Sequence, residues 1–329
     1  MNETQPLKQP HHNRGMTLRV FPISVEEWQR AVASLHPLPF FYLPEAYQVQ
    51  ETLHPGYEAQ ALRVETDQGV YLLPLLRTRR GGFRWLYSGP DGAYGGLLPL
   101  AGSPPASVTL YRQVLPALLG LRTPCAYLTL PRLPHLGISP LGQPQDRTFR
   151  LQPGPSFQHF FEKVLPSKRR NIYRRGQRAG LQALEGAEHL SAFWHLYRQK
   201  TWVRVYPEAY WRALLQSGRA HLWIAEHQGR PVAALWILRG LGEAFYFLGV
   251  HAPQAASLSP LTFLLVEALR GLMARFPLQV LDLGTSMGMA GVEHFKQSFG
   301  AKPVPVQHLT WCRVPLLDSL RRLWSRTRL

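Results

Sequence analysis

Residues 281–301 constrain the fold more than any other part of the chain, and they read LDLGTSMGMAGVEHFKQSFGA. An apolar strand end comes first, a stretch with three glycines follows, and Phe295 and Phe299 then recur at helical spacing. A strand that enters a helix through a glycine-rich loop is typical of domains in which helices cover a sheet. The segment therefore predicts an α/β (α+β) architecture.

The rest of the chain repeats one order of elements. Hairpin signals lie at Asp67-Gln68-Gly69 and at Gln228-Gly229, and helix-start signals lie at Ser24, Pro44 and Ser259-Pro260. In each half, helices precede three strands, and a helix and further strands follow. A chain of 329 residues is also too long for one typical core. We therefore expect two domains in tandem.

We place the boundary between these domains in the Pro-, Gly- and Gln-rich segment 141–155, because linkers concentrate such residues. The predicted organisation is a disordered tail over 1–16, a first domain over 17–150, a second domain over 151–312 and a basic amphipathic helix over 313–329. That helix can lie on an anionic membrane or dock on the domain core, and the sequence leaves both open.

The formal net charge of +17 predicts attraction to nucleic acid, phosphorylated substrates or an anionic membrane surface, although arginine richness can also reflect genome composition. Cys125 and Cys312 are too few and too far apart for a disulfide scaffold or a cysteine zinc site, so we expect a reducing compartment. No metal-binding motif is present. With no signal-peptide pattern or membrane-length apolar run, we expect a cytoplasmic protein, with contact to the inner membrane face left open.

A second motif, PSKRRNIYRRGQRAGL, covers residues 166–181 and is strongly basic. Arg170, Arg174 and Arg178 recur every four residues, share one helical face and can present a row of donors to phosphates. A solvated basic face is the alternative. Gly176 would loosen this helix unless a neighbouring element packs closely there.

The two motifs resemble those of the FemAB-like branch of the GNAT-fold acyltransferases, which includes peptidoglycan bridge-forming aminoacyltransferases and BioF2-like acetyltransferases. Arg170 and Asn171 match the family's R-N pair, and Asp282 and residues 295–301 match its D-x-G and F-K-x-x-F-G-A elements. The resemblance covers most of residues 35–311. It implies two tandem GNAT-like domains, each a mixed, mostly antiparallel sheet flanked by helices.

The resemblance also implies site residues. Lys296 and Asp282 are the expected catalytic residues, although residue types alone make Lys296 an exposed neighbour of a core stripe and Asp282 a cap of the glycine loop. The expected substrate-binding residues are Lys168, Arg170, Asn171, Arg174, Tyr246 and Phe295. Ser257 and Ser259 precede a helix start and are expected to bind the donor's anionic groups.

The predicted function is transfer of an acyl or aminoacyl group to an amine or hydroxyl of a cell-envelope precursor, either peptidoglycan or polysaccharide. We expect no tightly bound cofactor, and either acetyl-CoA or aminoacyl-tRNA as donor. The segment before Pro260 lacks the glycines of the usual acyl-CoA loop, and the positive charge suits tRNA, whereas no DNA partner is expected. One alternative is an acetyl-CoA-dependent N- or O-acetyltransferase acting on a small amine or exopolysaccharide. The other is a non-enzymatic RNA-binding or membrane-peripheral protein.

Overall fold

The structure is a computed structural model that describes residues 17–312 except 54–55, 81–82, 91–92, 120–122, 124, 200–205 and 287. The predicted tail 1–16 and the predicted helix 313–329 lie outside the described residues. Within the described part, no helix is long and apolar enough to cross a membrane.

The first half follows the predicted order of elements. They are β1 Leu18–Ile23, α1 Val25–Val32, α2 Pro44–Leu53, β2 Glu58–Thr66, β3 Gly69–Arg80, β4 Phe83–Ser88, β5 Leu98–Pro99, α3 Val108–Leu118, β6 Cys125–Pro131 and β7 Asp146–Leu151. Ser24 caps α1 in a capping box with Glu27, as its sequence predicts. The β2–β3 hairpin turns at Asp67-Gln68, which confirms that turn signal.

The second half begins with one helical turn, Phe157–His159 (α4), which continues as a π-helical turn over Phe160–Val164. Its further elements are α5 Ser167–Arg178, β8 Gln182–Glu185, α6 Leu190–Arg198, α7 Glu208–Gln216, β9 Ala220–His227, β10 Arg230–Arg239, β11 Glu243–His251, α8 Pro260–Arg275, β12 Val280–Thr285, α9 Ala290–Gln297 and β13 Lys302–Cys312. Gly176 is buried, and a Cβ there would lie 3.4 Å from Phe263 of α8, so this glycine permits close packing of the two helices.

The described strands join into one sheet of 13 strands in the order β1-β2-β3-β4-β6-β13-β7-β12-β11-β10-β9-β8, with β5 on β3. Among the described pairs, β4 with β6 and β11 with β12 run parallel, and the others are antiparallel. Helices flank this mixed sheet. The predicted fold class, tandem α/β units with mostly antiparallel sheets, is confirmed.

The two halves exchange their last strands at the centre of the sheet. The strand β13 pairs with β6 of the first half, and β7 pairs with β12 of the second half. The strands β7 and β13 also pair with each other over Asp146–Arg150 and Lys302–Val306. The segment 141–155 therefore contains a central strand in addition to linker residues, and the domain limits placed there stay a prediction.

The core lies on both faces of this sheet. The larger cluster of buried side chains draws on both halves and is rich in aromatic rings, including Trp28, Tyr47, Trp211 and Trp236. A smaller cluster packs α3 against the first half of the sheet. Burial of aromatic and aliphatic surface on this scale is the main stabilising contribution to the fold.

One expectation from the sequence is wrong. Cys125 and Cys312 are 187 residues apart in sequence, yet they lie directly opposite each other on β6 and β13 and form a disulfide. Their Cα atoms are 4.1 Å apart. The expectation of no disulfide fails because the exchange of strands, which the sequence does not reveal, brings the two positions together.

Candidate active site

The site lies where β11 and β12 separate. These parallel strands pair only from Glu243 to Phe245 on β11 and from Val280 to Asp282 on β12. Beyond that point β12 shifts its register on β7, and β11 carries a bulge opposite Trp236 and Ile237 of β10. The two strands therefore diverge and leave a cleft between them, with α8 following one strand and α9 the other.

Asp282, the last residue of β12 that pairs with β11, is fully buried and holds the start of the glycine loop. Its Oδ1 accepts the backbone N–H of Gly284 at 2.8 Å and the Thr148 hydroxyl, and its Oδ2 accepts the Tyr94 hydroxyl at 2.9 Å. Gly284 adopts a left-handed φ of 72°, which favours glycine. Asp282 thus caps the loop, as one reading of its sequence position suggested.

A second buried carboxylate shares an arginine with Asp282. The Arg150 guanidinium lies 3.4 Å from Asp282 Oδ2 through Nε and donates to Glu243 through its other end. Burial raises the pKa of Glu243 to about 8 and also raises the pKa of Asp282, because Arg150 only partly offsets the loss of solvent. Because Asp282 and Glu243 share a single guanidinium, the pair of carboxyl groups favours keeping one proton at neutral pH.

Lys296 lies beside this network and is only 5% exposed. Its ammonium donates to the Thr285 carbonyl at 2.6 Å. Burial lowers the pKa of Lys296 to about 8, while the charges of Asp282 and Asp146 act in the opposite direction. The structure therefore brings Lys296 and Asp282 together, and it corrects the interpretation of Lys296 as an exposed neighbour of a core stripe.

Arg169, which the sequence did not single out as a site residue, joins the two motifs. Its guanidinium stacks over the rings of Phe295 and Phe299 at 5.1 and 5.0 Å. It also donates to the hydroxyls of Ser298 and Thr262 at 2.7 Å. These contacts hold α5 against α9 and α8. Only the position of Arg169 inside the basic block hinted at this role.

Two predicted substrate-binding aromatic residues meet near Lys296. The rings of Tyr246 and Phe295 are 6.3 Å apart, and both side chains are half-buried. Burial raises the pKa of Tyr246. A Cβ on Gly249 would lie 1.8 Å from the Tyr246 hydroxyl, so the tyrosine depends on glycine at that position. Sequence reasoning missed Gly249, because the contact runs along one strand past a bulge.

The predicted row of arginines on α5 does not act as one surface. Arg170 turns back and donates three hydrogen bonds to the carbonyls of Phe161, Glu162 and Leu165, at 3.3, 2.8 and 2.7 Å. Its guanidinium thereby ties the start of α5 to the preceding turn. The other predicted residues of this helix, Lys168, Asn171 and Arg174, are exposed, and Arg174 lies over the Phe161 ring at 5.6 Å.

Arg175 reaches the predicted donor-binding residues. Its Nη2 atom donates to the Ser257 carbonyl at 3.2 Å and to the Ser259 hydroxyl at 3.4 Å. Ser259 stands at the N-terminus of the 16-residue α8, where its side chain makes no capping hydrogen bond. The positive end of a helix dipole and a guanidinium therefore converge, an arrangement that suits a phosphate.

Within the described residues, no group of three or more His, Cys, Asp or Glu side chains is arranged to hold a metal ion. The chemistry available at the cleft is that of a buried lysine ammonium, backbone N–H groups and the α5 cations. Such donors can stabilise negative charge that develops on an acyl group.

Comparison with known proteins agrees with this geometry. Residues 167–297 match the family described as the acetyltransferase (GNAT) domain, and the match runs from α5 to the end of α9. No curated protein matches the sequence. Among solved structures, the crystal structure of FemX superposes with a TM-score of 0.69 at 10% identity, over 92% of this chain and 99% of that chain.

Two further structures share the fold. The C-terminal domain of a protein from Agrobacterium fabrum assigned as a lysylphosphatidylglycerol synthetase gives a TM-score of 0.55 at 14% identity, over 92% of this chain and 95% of that one. A tandem GNAT protein from the clavulanic acid biosynthesis pathway gives a TM-score of 0.52 at 12% identity, over 89% of this chain and 98% of that chain.

The fold and the matched domain define a GNAT-fold, acyl-transferring enzyme. The fold that the chain shares with FemX agrees with the resemblance of the two sequence motifs to the FemAB-like branch.

Proposed function

We propose that the enzyme transfers an acyl or aminoacyl group to an amine or hydroxyl of a cell-envelope precursor, with the cleft between β11 and β12 as its active site. The observation that carries this proposal is the position of Lys296. Its buried ammonium lies at the point where the strands diverge, fixed on the Thr285 carbonyl and beside the Asp282 network. A preorganised cation in a partly desolvated cleft stabilises an oxyanion far better than one in water.

In this mechanism the acceptor attacks the carbonyl carbon of an activated ester or thioester. The Lys296 ammonium stabilises the oxyanion as it forms. The bond from the carbonyl carbon to the carrier's oxygen or sulfur then breaks, and the carrier leaves as an alcohol or thiol that takes up the proton lost by the acceptor. Asp282 is a positioning residue, because its carboxylate fixes the Gly284 loop and helps to keep Lys296 charged. Tyr246 and Phe295 line the approach to Lys296.

The donor's phosphates are placed at the start of α8. Arg175, Ser257 and Ser259 converge there, and the exposed Lys168, Asn171 and Arg174 extend the positive surface along α5. Arg170 supports this surface by anchoring the start of the helix. Phosphate contacts of this type suit either a nucleotide carrier or the backbone of a tRNA.

The envelope acceptor and the aminoacyl donor are supported by the name of one structural neighbour, which refers to a lysyl group on phosphatidylglycerol. The acetyl-CoA alternative is supported by the helix-end phosphate site and by the match of residues 167–297 to the acetyltransferase (GNAT) domain. Both donors carry phosphates, so the shape of the site alone favours neither.

Donor titration tests this proposal. The purified protein would be titrated with acetyl-CoA and, separately, with charged and uncharged tRNA at about 0.15 M salt, where weak nonspecific contacts are screened. Tighter binding of charged than uncharged tRNA supports aminoacyl transfer, and saturable acetyl-CoA binding that Arg175→Ala weakens supports the alternative. Binding of no donor by the folded protein would contradict the proposal.

A further inference from the structure

A polar pocket of about 540 Å³ lies just past the end of β12. It lies between the start of β7, the end of β12, α9 and β13. Asp146 and Arg147 contribute from β7, Ser286 from the end of β12, Glu293 from α9 and His308 from β13. A volume of this size accommodates a group of amino-acid size.

Two residues that line the pocket are close to Lys296 along the chain. Ser286 follows the residue whose carbonyl accepts the Lys296 ammonium, and Glu293 precedes Lys296 by one helical turn on α9. The charge of Asp146 also acts on Lys296. A group bound beside Asp146 therefore lies within range of the charge of the ammonium that the proposed function places at the reacting carbonyl.

Two polar groups in the pocket have hydrogen-bonding capacity to spare. Ser286 is only 2% exposed, and its hydroxyl takes part in no hydrogen bond with any described residue. Asp146 uses one oxygen to accept the backbone N–H of Arg147 at 2.7 Å and forms no ion pair in the described part of the chain. The Ser286 hydroxyl and the second Asp146 oxygen can therefore hydrogen bond to a ligand in the pocket.

The remaining charges of the pocket are already paired. Arg147 forms an ion pair with Glu293 at 2.8 Å and so joins β7 to α9 across the pocket. Asp146 thus supplies a carboxylate that no pocket cation neutralises, in a protein whose net charge is +17. A ligand that brings its own positive charge fits this arrangement better than a neutral or anionic one.

We propose that this pocket binds the acceptor as a primary ammonium, with the Asp146 carboxylate as its counter-ion and the Ser286 hydroxyl as a hydrogen-bond acceptor. The inference rests on the proposed function and narrows its acceptor to an amine on a polar carrier. The Asp146 carboxylate favours the charged form of the bound amine, so the acceptor docks as an ammonium and releases one proton to solvent before it attacks.

Calorimetric titration with a matched pair of probes tests this inference. Cadaverine carries two ammonium groups, and 1,5-pentanediol has the same chain with hydroxyls instead. We expect cadaverine alone to bind, with its Kd raised about tenfold or more by Asp146→Asn and several-fold by Ser286→Ala. Glu208→Gln is the matched control, because Glu208 is a carboxylate of α7 that is paired with Arg212 and lies outside the pocket.

Equal binding of the two probes, or an unchanged cadaverine Kd in both folded pocket variants, would overturn the inference. The donor titration separates this failure from failure of the proposed function. If donor binding persists while Asp146→Asn leaves amine binding intact, the pocket assignment alone is wrong. If cadaverine binds through Asp146 and no donor binds, the pocket stands and the transfer function fails.

Discussion

At the scale of single residues, the centre of the site is a buried lysine beside two buried carboxyl groups that share one arginine. Removing Lys296 from water disfavours its charged form, whereas the fields of Asp282 and Asp146 favour it. The balance leaves a pKa of about 8, so the ammonium persists at neutral pH and is lost in mildly alkaline solution.

The first prediction concerns pH. The folded-state pKa of Lys296 is lowered from 10.5 to about 8, so acyl transfer should fall as the pH rises through about 8. Over the window from 8 to 10.5 the unfolded chain binds more protons at this site, so this lysine's contribution to the free energy of unfolding should rise with pH. Initial rates at several pH values measure the fall in acyl transfer, and urea unfolding at the same pH values measures the change in the free energy of unfolding. A transfer rate that stays flat up to pH 10 would contradict the role of the ammonium.

The second prediction separates the two carboxyl groups. Asp282→Asn removes a charge that raises the pKa of Lys296, so the alkaline fall in rate should move to lower pH. Glu243→Gln is the matched control, because Glu243 has a pKa of about 8 and is mostly neutral below that pH. The pH–rate profiles of the two folded variants provide the measurement. Coincident profiles for Asp282→Asn and the wild type would exclude the proposed positioning role.

At the scale of elements, α5 divides its arginines between two tasks. Arg170 donates to three backbone carbonyls of the preceding turn, whereas Arg175 points to the start of α8. Two arginines of one helix therefore differ in role, because the Arg170 side chain folds back to the preceding turn and the Arg175 side chain reaches a different element.

The third prediction follows from that division. Arg170→Ala should lower the free energy of unfolding by about 1–2 kcal/mol, because three carbonyls lose a donor, and should leave donor affinity nearly unchanged. Arg175→Ala should weaken donor binding about fivefold to tenfold with little loss of stability, because it removes a phosphate contact. Urea unfolding and donor titration of both variants measure these effects. If Arg170→Ala instead weakened donor binding and Arg175→Ala did not, Arg170 would be the residue that binds the donor's phosphates.

Local signals predicted the elements well, and the contacts between elements poorly. The capping box at Ser24, the turn at Gln228-Gly229 and the start of α8 at Pro260 follow from short-range hydrogen bonding and backbone preference. The roles of Arg169 and Arg175 depend on which helices lie side by side. Which helices lie side by side is a tertiary property, and the local sequence patterns do not predict it.

At the scale of the whole molecule, the exchange of β7 and β13 joins the two halves into one sheet. The Asp282 network crosses the same junction, since Tyr94 comes from the first half, Arg150 from β7 and Glu243 from β11. The site in the second half is therefore held in part by the first. The resemblance of the motifs implied tandem domains, but it held no information on which strands pair across the boundary.

The fourth prediction concerns the disulfide that closes this junction. Cys312→Ser should lower the free energy of unfolding by about 2–5 kcal/mol, because the bond between Cys125 and Cys312 restricts a long loop of the unfolded chain. Urea unfolding with and without reductant measures the effect, and reductant should not destabilise the variant further. An unchanged wild-type stability after complete reduction would contradict this contribution.

The central claim is that Lys296 promotes acyl transfer at the cleft, and the initial rate of donor cleavage tests it most directly. Wild type and Lys296→Met would be compared with the donor that the titration identifies and with hydroxylamine as a small acceptor, and Lys302→Ala would serve as an exposed-lysine control. We expect a rate about 10²–10³ lower for Lys296→Met, with donor affinity and fold retained, because one oxyanion donor is lost. A folded Lys296→Met variant that cleaves the donor at the wild-type rate would contradict the claim.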